Sequence, residues 1–289
     1  MTSLPFPNLG ALISVLPEIT TYHARHNPVY QYLDQVAKAT VASSHLTDPE
    51  GKPENLGPFG ELNFPFTEMG AINSLDLFGI DELIIFAFYW RNRMRYRHAG
   101  DIGGNLGLHS LLMSRCGWTV RTFEPDPRHA NWLRRNLQLN GVTSVDLHEA
   151  AVSNQPGTLE FIRVLGNTTS SHLAGSKNNA YGELERFPVA VESISSVVTG
   201  LDFLKVDAEG QEKNIVLGIS REVWKNLDMM VEIGTTENAE GVYEFVRETG
   251  LHAFAQKLGW NEVQSLKDMP AHYKEGTLFL TAKPTMNWA

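Results

Sequence analysis

The sequence predicts an α/β fold: an open, mostly parallel sheet with helices on both faces, preceded by an irregular N-terminal cap. Three observations carry this. From residue 96 onward, short apolar runs alternate with helical stretches, the pattern that winds strands in parallel. "DIGGNLGLHS" (101–110) places a glycine-rich turn between a strand and a helix, at the edge where such sheets bind ligands. Residues 1–75 lack the alternation and are assigned to the cap, with 76–289 as the main domain.

Taken in order, "HNPVYQYLDQVAKATVASSHL" (26–46) reads as a helix, and 47–70 as a loop crowded with Gly and Pro. "DLFGIDELIIFAFYWRN" (76–92) is a helix leading into the main domain. The residues before Asp101, "RMRYRHAG", are too polar for a buried central strand, so that strand is expected to be short or unusually covered. "TVRTFEP" (119–125) is a strand, followed by a helix over 127–141. One strand is expected over 145–152, with further strands over 158–164 and 187–193. "LDFLKVDAEG" (201–210) runs a strand into a helix over 211–218, and 227–233 is a strand before a helix over 239–250. "HAFAQK" (252–257) and "TLFLTAK" (277–283) form an antiparallel pair.

Bulk properties exclude some functions. A hydrophobic fraction of 42% with 20% charged residues describes an ordinary globular chain of 289 residues. The net charge of −9 argues against binding nucleic acid phosphates or anionic membranes. The one cysteine, Cys116, cannot form an internal disulfide or a structural zinc site and fits a reducing compartment. The first twenty residues lack a basic signal-peptide start, and the longest apolar run, "LIIFAFYW" (83–90), is too short to span a bilayer. A cytoplasmic location is expected; the oligomeric state is left open.

The glycine turn narrows the ligand. Neither Gly103 nor Gly104 starts a G-x-G-x-x-G register, and no Lys follows Gly107 as a P-loop requires. What remains is D-x-G-G-N-x-G, which puts an acid, Asp101, beside a close backbone approach and suits a cationic ligand. Seventeen residues after Gly107, Glu124 ends the next strand, where a carboxylate can accept from both hydroxyls of a ribose. A ribose and a positive charge without phosphate describe S-adenosylmethionine.

"DIGGNLGLHSLL", "TFEPDPRHANWLRRNLQLNG", "AAVSNQPGTLEF" and "LDFLKVDAEGQEKNIVLG" together resemble successive motifs of the FkbM-type S-adenosylmethionine-dependent methyltransferases, over about residues 96 to 235. The resemblance implies a class I Rossmann-like methyltransferase fold with a seven-stranded sheet, and O-methylation of natural products or sugars. By position it implies that Asp101, Gly103, Asn105 and Gly107 line the methionine end, that Glu124 holds the ribose, and that Glu149, Ala150 and Ala151 flank the adenine. Gly104 belongs to the same turn, where the family usually has alanine.

Asp207 and Glu209, in "KVDAEGQE", fall at the edge where a methyl acceptor is expected. They act there as a base or orienting group for a hydroxyl, or else cap the next helix. Glu232 could join them in holding Mg²⁺, although no spacing demands a metal. His172, in "NTTSSHL", is an acceptor-side base or a solvated loop residue, whereas His109 is read as packed. Phe64 and Phe66 roof the site or anchor the cap. The leading reading is a small-molecule O-methyltransferase with a hydroxyl or carboxylate acceptor. A nicotinamide-dependent oxidoreductase and a non-catalytic nucleoside-binding module are the alternatives.

Overall fold

A computed structural model describes residues 8–176, 182–286 and 288. The N-terminal segment contains helices α1 (Leu9–Val15) and α2 (Pro28–Ala42) and a small antiparallel pair, β1 (Pro53–Asn55) with β2 (Glu61–Asn63). Asn27 starts α2 by accepting a hydrogen bond from the Val29 N–H, with Pro28 set in the first turn. Helix α3 (Ile80–Arg91) follows and is buried along almost its whole length.

The main domain then runs β3 (His98–Ile102), α4 (Leu108–Arg115), β4 (Thr119–Phe123), α5 (Pro127–Leu139), β5 (Val145–His148), β6 (Ala150–Ser153), β7 (Gly157–Val164), β8 (His172–Leu173) and β9 (Leu184–Ser193). It continues with α6 (Ile194–Val197), β10 (Phe203–Val206), α7 (Glu212–Leu217), α8 (Arg221–Trp224), β11 (Asp228–Glu232), α9 (Thr236–Thr249), β12 (His252–Ala255), β13 (Asn261–Glu262) and β14 (Thr277–Thr281). The large sheet has the order β13-β12-β14-β11-β10-β3-β4-β5. Its run from β11 to β5 is parallel, and β14, β12 and β13 add antiparallel strands at one side.

Two expectations need correction. The large sheet has eight strands rather than seven, because the two-residue β13 pairs with β12 at its edge. The stretch 145–152 is two strands rather than one. The chain bends at Glu149, so β5 closes the large sheet while β6 opens a second sheet of order β6-β9-β7-β8. The polar lead-in to β3 also finds its explanation: Arg97 and His98 stay exposed, Tyr96 packs into the core, and β3 itself is buried only from Ala99 to Ile102.

Two apolar layers cover the sheet. On one face Phe203 and Phe279 pack with Phe88, Tyr89 and Tyr96, and α1, α2 and α3 of the N-terminal part share this core. On the other, Leu204, Val206 and Val231 pack against Ile215, Trp224 and Val242 of α7, α8 and α9. Phe64 is fully buried in the first layer, edge-on to Phe78 at 5.7 Å, so it anchors the segment instead of roofing a ligand.

Asp228, at the start of β11, ties these layers at their buried end. It accepts from Tyr96 Oη at 2.8 Å, Thr281 Oγ1 at 2.6 Å and Lys283 Nζ at 2.8 Å. Asp228→Ala strands three donors and is expected to destabilise the fold by roughly 3 kcal/mol. Urea unfolding checks this: a loss below roughly 1 kcal/mol would show that water replaces the carboxylate.

Candidate active site

The glycine turn lies at the carboxyl ends of β3 and β10. The Gly103 and Gly104 N–H groups both donate to the Phe123 carbonyl, at 3.0 and 3.1 Å, which pins the turn to β4. Gly103 has φ +81°, and a Cβ there would meet the Asp207 carbonyl oxygen at 1.9 Å. At Gly104 a Cβ would strike the Thr122 Cγ2 at 2.4 Å. Both glycines are therefore required by the packing of the turn on its neighbours. Gly107 starts α4 from a left-handed conformation against Leu133.

Over this edge lies a cleft that is open to solvent. Gly103, Asn105, Glu124, Ala150 and Ala151 line it, as do Asp207, Glu209 and His172. Of the other positions singled out from the sequence, Gly104, Gly107, Asp101 and Glu149 do not reach its surface. Asp101 is completely buried behind the wall, hydrogen-bonded to Ser110 Oγ, which is itself 2.7 Å from Thr122 Oγ1. Glu149 turns away at the bend between the sheets and pairs with Arg134.

Glu124 is a buried acid of the cleft, 5% exposed. Its Oε2 accepts from the Asn105 N–H at 2.7 Å and its Oε1 from the Asp126 N–H at 2.8 Å. Burial pushes its carboxyl up to about 8, against the opposing pull of those two donors. Asp126, two residues on, behaves differently. Burial opposes its ionisation too, but the fork of Arg163 binds it and holds its carboxyl below the usual range. Arg163 also pairs with Glu185, so it ties the start of α5 to the second sheet.

The far wall comes from that second sheet. His129 Nε2 lies 2.9 Å from Thr168 Oγ1, and burial lowers its basicity. His172 is buried, with Nδ1 2.9 Å from the Ser170 carbonyl, so it is not a solvated loop residue. The N-terminal segment grips this loop: the Ala71 N–H donates to Gly166 O at 2.6 Å and the Thr168 N–H to Met69 O at 2.9 Å.

Asp207 and Glu209 stand on the loop after β10. Helix α7 starts only at Glu212, with Gln211 as its cap residue, so neither acid caps it. Val206 pairs with Val231, which sets Asp207 and Glu232 at neighbouring strand ends. Burial pushes the Glu232 carboxyl well above its ordinary range, and the charges of Asp207, Glu82 and Glu209 add to this. Among the described residues, no group of three or more His, Cys, Asp or Glu side chains is placed to hold a metal ion. His109 is packed as expected, its Nδ1 2.9 Å from Tyr89 Oη and its Nε2 2.9 Å from Glu82.

Sequence reasoning misses Lys205. It sits in the middle of the fully buried β10, 7% exposed, with Nζ 3.7 Å from Asp101 and 3.9 Å from Asp207. A lysine inside a four-residue apolar strand is the signal that could have found it.

The methyltransferase FkbM domain model matches residues 101–257, more than half of the chain. Methyltransferase 1 of Beauveria bassiana is 27% identical over 155 residues, covering 45% of this chain and 61% of that protein. Methyltransferase sdnD of Sordaria araneosa is 32% identical over 160 residues, covering 43% and 61%. The matched region thus spans less than two thirds of either relative. Among solved structures, precorrin-6y C5,15-methyltransferase from Geobacter metallireducens superposes with a TM-score of 0.39 at 12% identity, covering 74% of this chain and 90% of that one.

The state of Glu124 is open to measurement. Its folded pKa is raised, so its stabilisation relative to a neutral side chain is full below about pH 4.5 and disappears as pH rises through about 8. Between about pH 5 and pH 8.5, the protein should therefore lose on the order of 3 kcal/mol more stability than Glu124→Gln. Parallel urea titrations of the two proteins would contradict the burial argument if their pH dependence were the same. The match over the turn, the cleft and β10 gives the conclusion that this chain belongs to the FkbM methyltransferase domain family.

Proposed function

We propose that the protein is an S-adenosylmethionine-dependent O-methyltransferase acting on a hydroxyl of a small molecule or natural product. The observation that carries this is Glu124. Its carboxyl lies in the cleft, is oriented by two backbone N–H groups, and among the described residues receives no cation of the kind that Asp126 receives. In its ionised form each oxygen has a lone pair to spare, and a ribose diol supplies two O–H donors. Ala150, Ala151, Phe123 and Phe161 provide apolar walls for a purine beside it.

The donor, when bound, supplies an electrophilic methyl group on a sulfonium. The chain's own residues do the rest. Asp207 and Glu209 are at the strand edge of the cleft, where either can take the proton that an acceptor hydroxyl loses as its oxygen bonds to the methyl carbon. The electron pair of the broken carbon–sulfur bond stays on sulfur. Acidic side chains at this edge favour a neutral hydroxyl over an anionic carboxylate. The N-terminal segment, hydrogen-bonded to the loop over 166–168, is suited to exclude water from the acceptor side. The absence of a dinucleotide register in the turn counts against a nicotinamide enzyme. The acids at the cleft edge favour catalysis over a binding module. The net charge of −9 fits a small acceptor rather than nucleic acid.

Calorimetry is expected to show S-adenosylmethionine and S-adenosylhomocysteine binding at one site, with no heat from NAD or ATP. Asp207→Asn or Glu209→Gln should lower turnover at least about a hundredfold with donor affinity intact, since a positioned base contributes roughly 10²–10⁴-fold. Near-normal turnover in both variants would move the assignment to an already ionised acceptor.

A further inference from the structure

We propose that residues 69–71 are a clasp through which the N-terminal segment positions the far wall of the cleft, so that closure of the clasp and donor binding are coupled. This rests on the donor reading above and adds to it a part of the chain that acts from outside the cleft. Met69, Gly70 and Ala71 do not line the cleft, whereas Thr168, Thr169, Ser171 and His172, on the chain they hold, all do.

That wall has thin support from its own sheet. β8 is two residues long and pairs with β7 at Phe161–Leu173 and Ile162–His172. The loop before it closes on itself through the Asn167 N–H on Val164 O and the Val164 N–H on Ser171 Oγ, both at 3.1 Å. The N-terminal segment adds an antiparallel bridge between Gly70 and Asn167, flanked by the Ala71 N–H on Gly166 O at 2.6 Å and the Thr168 N–H on Met69 O at 2.9 Å. Thr168 Oγ1 is also 3.4 Å from Met69 O and 2.9 Å from His129 Nε2. Both contacts are satisfied when the hydroxyl donates to the carbonyl and accepts from the imidazole. His129 lines the cleft, so the clasp reaches ligand-facing side chains on α5 as well as on the loop.

The clasp is firmly mounted. Met69 is buried in the layer shared with α3, and its N–H donates to Ile72 O at 3.0 Å. Below it the Thr67 N–H donates to Ser74 Oγ at 3.0 Å and the Ser74 N–H to Thr67 O at 2.9 Å. Gly70 is the fitted part: its φ is +91°, and a Cβ would lie 2.4 Å from Gly166 O and 2.8 Å from Asn167 N. A side chain at this position therefore forces the two backbones apart without entering the cleft. A ligand gains contacts with the wall when the loop is held in, so it binds the closed clasp more tightly and stabilises it in return.

The test reads both directions of this coupling on the full chain, with S-adenosylhomocysteine as the probe. In the intact protein, saturating ligand should slow amide exchange of Ala71 and Thr168 at least about tenfold more than that of α2, which belongs to the same N-terminal segment. Gly70→Ala should weaken ligand binding measured by calorimetry by a similar factor, because coupling between two sites is reciprocal. The exchange measurement needs no variant and stands if Gly70→Ala does not fold. Equal slowing at the clasp and in α2, or a folded Gly70→Ala that binds as tightly as the intact protein, overturns the clasp and leaves the donor reading in place. Absence of binding by the intact protein overturns both.

Discussion

A Cβ on residue 103 would lie 1.9 Å from the Asp207 carbonyl oxygen, so the ends of β3 and β10 can meet only where that side chain is missing. The contact is reinforced by the Asp207 N–H donating to Ile102 O at 3.0 Å, and by the two turn N–H groups on Phe123 O. Three strand ends are thereby locked at one point. Asn105, Asp207 and Glu124 inherit their positions from it, because each is within two residues of a locked atom. The glycines of this turn serve the protein's own packing first, and the cleft forms in front of them as a consequence.

Charge is distributed around that point unevenly, and the unevenness carries the chemistry. Asp126 and Glu124 are two residues apart, and both are shielded from water. Asp126 receives the guanidinium of Arg163 and becomes a structural tie between α5 and the second sheet. Among the described residues Glu124 receives only backbone N–H groups, and burial raises its carboxyl. A paired acid stabilises a fold, whereas an acid left with spare acceptors is available to a ligand.

Much of this was legible in the residues. The alternation of apolar runs and helical stretches located the parallel strands, and the turn together with Glu124 pointed to the cleft. What was not legible depended on chain path. "VDLHEAAV" has the composition of one strand, and only the tertiary split at Glu149 sends its halves to different sheets. Asp101 adjoins Ile102, which lines the cleft, but side chains alternate along a strand, and its own points to Ser110 of α4. That inward direction removes it from the cleft and gives it to Ser110 and Lys205. Lys205 was missed because apolar periodicity treats a charged residue inside a strand as noise, when burial of that charge is the information.

The acidic edge also bears on turnover under the proposed function. Transfer of the methyl group converts a sulfonium into a neutral thioether, so the ligand loses one positive charge within the cleft. Asp207 and Glu209 attract the charged donor more than the neutral product, and the proton left on a carboxylate lowers the local negative charge in the same step. Both changes weaken the hold on what remains. An edge of like charges is costly to maintain, as the displaced ionisation of Glu232 shows. That cost has a physical return if the strain is greatest in the empty site and is relieved by the charged donor, because binding is then favoured before transfer and release after it.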